Sequence, residues 1–225
     1  MAPQNEANAF SRVAKDPVSR RKFFALGGGS VAATAFLAAC GSDDDMTTTM
    51  GSAGGSGGTE PVIEEEFGKG DVGILNYALT LEYLETAFYA DVVKSGLFKG
   101  SDLATMKKFG KEEAEHVSAL TAFVKKLGGK PAPVPKTEFP LKSAKSVLEL
   151  AGTVENLGAA AYLGQAANIE SPAVLAPALS IHSVEGRHSA ALNTLLGKPI
   201  TPDGAFAKPA DAATVLESVE PFIVT

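Results

Sequence analysis

The chain has 225 residues, with 20 basic and 26 acidic side chains and a net charge of −6 near neutral pH. A chain with this acidic balance is not expected to bind nucleic acid or anionic lipid by charge. Cys40 is the only cysteine, so no internal disulfide is available and the fold must be held by its own core.

The first forty residues carry the parts of an export signal. A basic segment around Arg20 and Arg21 precedes an apolar run, residues 23–39, which ends at Cys40. The sequence SRRKFF resembles a twin-arginine signal, and LAAC resembles the lipobox of bacterial lipoproteins, whose cysteine is lipidated. We therefore predict a signal peptide over residues 1–39 and lipidation at Cys40. The expected location is the cell envelope, either on the outer side of the cytoplasmic membrane or in the periplasm.

An uncleaved membrane helix is the alternative for this segment. The apolar run has 17 residues and contains three consecutive glycines, which is short and weakly apolar for a span of about 20 residues. Residues 40–60 are rich in glycine, serine, threonine and aspartate and are expected to be a flexible tether. Removing the signal leaves 15 basic and 24 acidic residues, a net charge of −9. Membrane attachment is therefore expected through the lipid rather than through charge.

Beyond the tether, apolar residues recur at steps of three and four, which predicts helices. A first helix is predicted from Asp71 to about Ser95, with Gly96 ending it. A second is predicted from a cap at Ser101 or Asp102 to about Leu127. The short loop between them is typical of two helices that lie side by side.

A proline-rich connection separates these helices from a second pair. Four of the thirteen residues from 130 to 142 are prolines, so no helix can persist there. A third helix is predicted from near Ser143 to about Ile169. A fourth is predicted between Pro172 and Leu196, with a kink or a late start at Pro177.

Two short loops and one long connection predict the fold class. The expected architecture is an all-α four-helix bundle over residues 61–198, with one long crossover between helices 2 and 3. Residues 199–225 would form a C-terminal extension. A short helix over Ala212–Val219 is expected within it.

A pattern of chemically active residues occurs twice in these helices. The pattern is Glu-x6-Tyr followed by Glu-x-x-His, and its copies are Glu82, Tyr89, Glu113 and His116, then Glu155, Tyr162, Glu185 and His188. In each copy the first glutamate precedes the second by 31 or 30 residues. Residues three or seven apart share one helix face, so each pair can present its groups at a common point. One Glu-x-x-His pair alone is usually a surface ion pair, but the repetition favours a built site.

The four glutamates stand in strongly apolar segments, where a buried carboxylate without a partner is very costly. Two divalent cations would cancel their four charges. A glutamate from each of two helices plus a Glu-x-x-His pair from each of the other two is the ligand set of dinuclear carboxylate bundles. Mixed carboxylate and imidazole ligands suit iron first and manganese second, and zinc is a further alternative.

The stretch LNYALTLEYLETAFY and the repeated pattern resemble the ferritin-like superfamily, and most closely its branch of desiccation-related proteins, often called ferritin-like domain proteins. The resemblance covers residues 72–197. It implies that the metal ligands are Glu82, Glu113, His116, Glu155, Glu185 and His188. It also implies that Glu113 and Glu185 bridge the two ions, and that Tyr89 and Tyr162 hydrogen-bond ligand carboxylates.

Other polar residues near the pattern have several interpretations. Glu85 could accept a hydrogen bond near the site, act as an additional ligand, or form a salt bridge on the helix surface. His182 could line the site or be an ordinary core or surface histidine. Glu112 and Glu115 are expected on a solvated face, and Arg187 is expected to face away from the site.

The resemblance implies redox chemistry, with oxidation of ferrous iron or removal of peroxide in stress defence as the activity and dioxygen or peroxide as the substrate. The sequence leaves turnover open and assigns no catalytic residue. We expect an exported, lipid-anchored protein without a nucleic-acid partner, and a homodimer is one candidate assembly. The alternative is a non-catalytic bundle that serves as a stress- or desiccation-associated surface protein or partner-binding module. A structural zinc site is a third hypothesis.

Overall fold

The computed structural model describes residues 59–224, and six α-helices lie within that part of the chain. They are α1 (Pro61–Phe67), α2 (Gly70–Ser95), α3 (Gly100–Lys126), α4 (Ala144–Gln165), α5 (Pro172–Leu195) and α6 (Ala212–Val219), followed by a 3-10 turn at Glu220–Phe222. The predicted signal peptide with Arg20 and Arg21, the predicted lipidation site Cys40 and most of the predicted tether lie outside the described residues.

The four long helices, α2 to α5, form two pairs. Helix α2 packs mainly against α3, and α4 packs mainly against α5. Residues 127–143 connect the two pairs without a helix, because their prolines lack the amide that a helix interior needs. The predicted all-α four-helix bundle, with one long crossover between its second and third helices, is therefore confirmed.

Local sequence signals set several of the helix ends. Helix α2 ends at Gly96, whose φ of 72° lies in the left-handed region that glycine adopts without strain. Helix α4 follows Ser143, whose hydroxyl accepts a hydrogen bond from the Ser146 amide in a capping box. Helix α5 begins at Pro172 and contains Pro177, so the alternative of a late start at Pro177 is wrong.

The start of α3 differs from the prediction. The helix begins at Gly100, with Lys99 at the N-cap position, and no side chain caps it. Gly100 has a φ of 59°, and this left-handed residue turns the chain into the helix before a polar cap is reached. The predicted cap at Ser101 or Asp102 is therefore wrong.

Two further differences lie at other helix ends. Helix α4 ends at Gln165 rather than near Ile169, and the backbone amide of Asn168 bonds back to the Gln165 carbonyl in a turn. Helix α1 was not predicted, because its seven residues are too few to show a helical period. Its only buried residue, Ile63, packs in a cluster with residues of α2 and α6, so its burial depends on distant parts of the chain.

The C-terminal extension contains the predicted helix and returns to the crossover. Helix α6 contacts α4 and α1. The backbone amide of Glu138 donates to the Phe222 carbonyl at 3.0 Å, and that of Val224 donates to the Lys136 carbonyl at 2.9 Å. Within residues 59–224, no helix has the length and apolar content needed to cross a bilayer.

Two apolar clusters occupy different levels of the bundle. One includes Leu79, Leu120, Ala178 and Ile181, and the other includes Phe88, Phe109, Ala151 and Leu192. Along each of the four long helices, the repeated glutamates and histidines fall between residues of these two clusters. The fold therefore places the repeated polar pattern at mid-bundle, between two apolar layers.

Candidate metal centre

The six side chains that the sequence predicts as ligands lie together in the bundle. They form two overlapping groups, each with ligand atoms within 4.8 Å of one another. One group is Glu82, Glu113, His116 and Glu185, and the other is Glu113, Glu155, Glu185 and His188. Glu113 and Glu185 belong to both groups, which is the placement that bridging carboxylates require. All four glutamates are fully buried.

In the first group, one imidazole nitrogen faces three carboxylates. His116 Nδ1 lies 3.2 Å from Glu82 Oε2, 2.9 Å from Glu113 Oε2 and 3.3 Å from Glu185 Oε1. A ring nitrogen carries at most one hydrogen, so it cannot satisfy three carboxylate oxygens. These carboxylate oxygens therefore converge on a point where a divalent cation would fit.

The second group repeats this arrangement around His188. Its Nδ1 lies 2.9 Å from Glu113 Oε1 and 3.1 Å from Glu155 Oε2. Its other nitrogen, Nε2, lies 2.9 Å from Glu112 Oε2. His188 thus faces two buried carboxylates with one nitrogen and a half-buried carboxylate with the other.

The two tyrosines connect the copies of the pattern crosswise. Tyr162 donates a hydrogen bond of 2.6 Å to Glu82 Oε1, and Tyr89 donates one to Glu155 Oε1. Each tyrosine therefore holds the glutamate of the other copy rather than the glutamate that precedes it on its own helix. A tyrosine that orients a carboxylate in this way leaves the second oxygen free to meet a cation.

Burial and the charges of neighbouring side chains shift the pKa values of the glutamates and histidines in the cluster. Burial raises the pKa of Glu82 to about 8 and, helped by neighbouring carboxylates, holds the pKa of Glu185 well above its ordinary value. Burial also opposes ionisation of Glu113, but the two adjacent imidazoles favour its charged form and keep its pKa below the ordinary value. Burial lowers the pKa of each imidazole, but the attraction of Glu113 and the neighbouring carboxylates outweighs this. The pKa of His116 rises to about 12 and that of His188 to about 11.

Several cluster oxygens have no hydrogen-bond donor in the described part of the chain. They are Glu113 Oε1 and both carboxylate oxygens of Glu185, all of them buried. The imidazole nitrogens near two of them lie at ion-pair distance without hydrogen-bond geometry. A buried acceptor without a donor is costly. Because the donor set is carboxylate and imidazole, a pair of divalent transition-metal ions fits these residues.

A fifth buried carboxyl lies next to the cluster. Glu85 is 3% exposed, which excludes the interpretation as a surface salt bridge. Its Oε1 atom lies 2.9 Å from the position that a Cβ atom of Gly158 would occupy, and Glu185 Oε2 lies 3.2 Å from the same point. Burial and neighbouring carboxylates raise the pKa of Glu85 well above its ordinary value. The missing side chain of Gly158 therefore provides the space for two carboxyl groups.

The structure separates the remaining candidates. Glu112 was expected on a solvated face; its side chain is 30% exposed, but its carboxylate also reaches the ring of His188. Glu115 is exposed and pairs with Lys111, and Arg187 is exposed. His182 lies outside both groups, with Nδ1 2.9 Å from the Ala159 carbonyl oxygen. The role of the six central residues as metal ligands stays a prediction.

One of two comparisons with known proteins found a match. A family model described as "Ferritin-like domain" matches residues 70–198, which is 129 of the 225 residues and spans α2 to α5. A comparison with curated proteins gave no match. The matched segment contains every residue of the two groups and both tyrosines.

Proposed function

The chain belongs to the ferritin-like domain family. On that premise we propose that it binds a dinuclear metal centre, with iron as the first candidate metal and manganese as the second. The proposed ligands are Glu82, Glu113, His116, Glu155, Glu185 and His188. The observation that carries the proposal is the convergence of buried carboxylate oxygens on two imidazole nitrogens that cannot satisfy them. A cation at each group removes both the repulsion and the unsatisfied acceptors.

The residues divide the work of holding such a centre. Glu113 and Glu185, shared by both groups, would bridge, and Glu82 and Glu155 would each serve one position, held by a tyrosine from the other half. The cluster lies between the two apolar layers, and its four glutamates are fully buried. A pair of redox-active ions would supply the electron exchange needed to oxidise ferrous iron or to reduce peroxide in stress defence.

Metal analysis of the full chain tests this proposal. After growth with added iron and manganese, we expect about two transition-metal ions per chain, as in dinuclear carboxylate bundles. The double substitution Glu113→Ala/Glu185→Ala should abolish binding, because it removes the residues common to both groups. Glu115→Ala/Glu149→Ala, which removes two exposed glutamates from α3 and α4, is the matched control and should bind normally. Wild-type chain without bound transition metal would contradict the proposal.

Peroxide consumption tests the redox part separately. The iron- or manganese-loaded chain should consume added peroxide, and the Glu113→Ala/Glu185→Ala chain should not. A chain that holds two ions but leaves peroxide and ferrous iron unchanged would favour the non-catalytic alternative, a stress-associated surface or partner-binding bundle. Zinc in both positions after growth with all three metals would favour a structural site.

We further propose that the protein is exported and anchored by a lipid at Cys40. The support is the sequence alone, SRRKFF followed at the expected distance by LAAC. Expressed in a bacterium that processes lipoproteins, the chain should enter the membrane fraction, and its N-terminal peptide should begin at a lipidated Cys40. Cys40→Ala should lose the lipid, and Arg20→Lys/Arg21→Lys should stay in the cytoplasm. An unprocessed wild-type N-terminus would count against export.

A further inference from the structure

The two imidazoles of the proposed centre have different surroundings. The Nε2 atom of His188 lies 2.9 Å from Glu112 Oε2, and its ring stacks on Phe109 with 4.0 Å between ring centroids. His116 has neither an Nε2 hydrogen bond nor an aromatic stack within residues 59–224. Its side chain is also more exposed, at 12% against 4% for His188. The ring of His188 therefore has two contacts that His116 lacks within residues 59–224.

The sequence encodes this difference at matched positions of the two copies. Glu112 stands four residues before His116, and the residue four before His188 is Val184. Phe109 stands seven before His116, and its counterpart seven before His188 is Ile181. Helix α3 thus supplies the two groups that hold the histidine of α5, whereas the equivalent side chains of α5 are aliphatic and cannot hold the histidine of α3 in that way.

We propose that the His188 position is the first of the two to take up a divalent ion, and that Glu112 is the positioning residue responsible. This inference rests on the proposed dinuclear centre. When Glu112 accepts the hydrogen on Nε2, that hydrogen is retained as an ion displaces the proton on Nδ1, so the Nδ1 lone pair is the one that faces Glu113 and Glu155. This hydrogen bond also fixes the ring orientation, so less freedom is lost when an ion binds. Outer partners of this kind typically change metal affinity by about 10- to 100-fold.

The other features of the cluster do not offset this difference. Each group offers four ligand residues, three glutamates and one histidine, so the number of ligands is equal. Glu85 belongs to neither group, although it lies beside Glu185, which both groups share. Lys108 holds the Glu112 carboxylate with contacts of 2.8 and 3.0 Å, which keeps it directed along α3. The hydrogen bond from His188 to Glu112 is thus the polar contact that distinguishes the two positions.

A zinc titration of the full chain, labelled with 15N at its three histidines, tests the order directly. Zinc is diamagnetic, so the imidazole resonances report which histidine binds first, and His182 serves as an internal reference. We expect the His188 resonances to shift over the first equivalent and those of His116 over the second. Glu112→Ala should weaken the first step by about 10- to 100-fold, so that the two histidines respond together.

Three further variants separate positioning from surface charge and from misfolding. Glu115→Ala removes an exposed carboxylate from the same helix and should leave the order unchanged. Glu112→Gln keeps an oxygen that accepts the Nε2 hydrogen and should preserve the order. Val184→Glu offers His116 the missing partner and should tighten the second step, a gain that a destabilised chain would not show.

Specific results would overturn the inference. They are a His116 response that precedes or matches that of His188 in the wild-type chain, or equal effects of Glu112→Ala and Glu115→Ala. In either case zinc still binds, so the dinuclear centre stands while the proposed order fails. If no histidine resonance responds to zinc, the centre itself is wrong, and the order falls with it.

Discussion

The two halves of the bundle, α2 with α3 and α4 with α5, carry the same pattern of glutamate, tyrosine and histidine but differ in the residues around it. Each half contributes Glu-x6-Tyr and Glu-x-x-His, and the ligand atoms meet in two similar groups. The halves are also tied together, because Tyr89 holds the glutamate of the second half and Tyr162 holds that of the first. Neither half could therefore assemble its part of the centre alone.

The halves differ at positions next to the shared pattern. Three residues after the first glutamate, one half has Glu85 and the other has Gly158. Four residues before the histidine, one half has Glu112 and the other has Val184. In both cases, the polar residue of the first half reaches into the second. The comparison teaches that the ligands follow the twofold pattern, while the residues around them make the two positions inequivalent.

The largest expected effect concerns a property that both halves share. His116, with a pKa of about 12, and His188, with a pKa of about 11, hold protons at neutral pH in the ion-free chain, as does Glu82 with a pKa of about 8. A metal ion must displace these protons. Affinity for manganese should therefore rise with pH between about pH 6 and pH 9, by roughly tenfold per unit for each displaced proton. Calorimetric titrations at several pH values measure this slope.

The stability of the ion-free chain should change in the opposite direction. The folded pKa values of Glu82 and both histidines lie above their ordinary values of 4.5 and 6.5. The stabilisation from these protonated groups is complete below the ordinary pKa values of 4.5 and 6.5. It is lost as the pH rises through the folded pKa values, about 8 for Glu82 and 11 to 12 for the histidines. The melting temperature of the chelated chain should fall between about pH 6 and pH 9, while the gap to the manganese-loaded chain widens. A narrowing gap would contradict these assignments.

The crosswise tyrosines provide the next largest test. Tyr89→Phe and Tyr162→Phe each remove the hydroxyl that donates to a buried glutamate of the other half. Each should lower the free energy of unfolding of the metal-loaded chain by about 1 to 3 kcal/mol, as measured by urea denaturation. If the two substitutions lower the free energy of unfolding by similar amounts, each half depends equally on the tyrosine that the other half supplies.

Tyr83→Phe is the matched control for these two substitutions. Tyr83 lies on α2, is half-buried, and its hydroxyl makes no hydrogen bond within the described residues. Its loss should therefore cost less than either crosswise tyrosine. If all three substitutions have the same effect, the hydrogen bonds to Glu82 and Glu155 are not what stabilises the centre.

The fold was predictable from the sequence because most of its signals are local. The helical period, the proline-rich connection and the Gly96 and Ser143 ends each act within a few residues of the chain. The helix that was missed depends on distant contacts. Helix α1 is short, and Ile63 is buried only by residues that come later in the sequence.

In the site, too, the features set by local spacing were predicted, and those set by contacts across the bundle were not. The repeat identified the residues that meet at the centre, because spacing of three and seven determines the helix face. Spacing does not determine which residue lies opposite across the bundle, so the crossing of the tyrosines and the contact of Glu112 with His188 were not predicted. Extending the comparison of the two copies beyond the ligands would have drawn attention to Glu112 and Val184, and to Glu85 and Gly158.

Gly158→Ala tests the asymmetry around Glu85 and should have a smaller effect. The new methyl group would lie 2.9 Å from Glu85 Oε1 and 3.2 Å from Glu185 Oε2, so at least one carboxyl must move. Helix propensity gains about 1 kcal/mol, which the displacement offsets, while the shift of Glu185 should weaken metal binding by about tenfold. Adding Glu85→Ala in the same chain should restore the affinity. Unchanged affinity in Gly158→Ala would mean that Glu185 does not depend on this space.

Gly186 lies between Glu185 and His188 inside α5, and Ala114 occupies the same place between Glu113 and His116. This exchange of glycine for alanine is the smallest of the differences between the two halves. A Cβ atom at Gly186 would meet nothing within 4 Å, and the residue borders a surface cleft of about 310 Å³.

Since no neighbour needs the missing side chain, Gly186→Ala should stabilise the chain by up to about 1 kcal/mol through helix propensity and leave metal content unchanged. The reverse substitution, Ala114→Gly, places the same change on the exposed face of α3 and should cost a similar amount. Equal and opposite shifts in melting temperature would show that this glycine carries no function. A loss of metal in Gly186→Ala alone would show that the second half requires flexibility between its ligands that the first half does not.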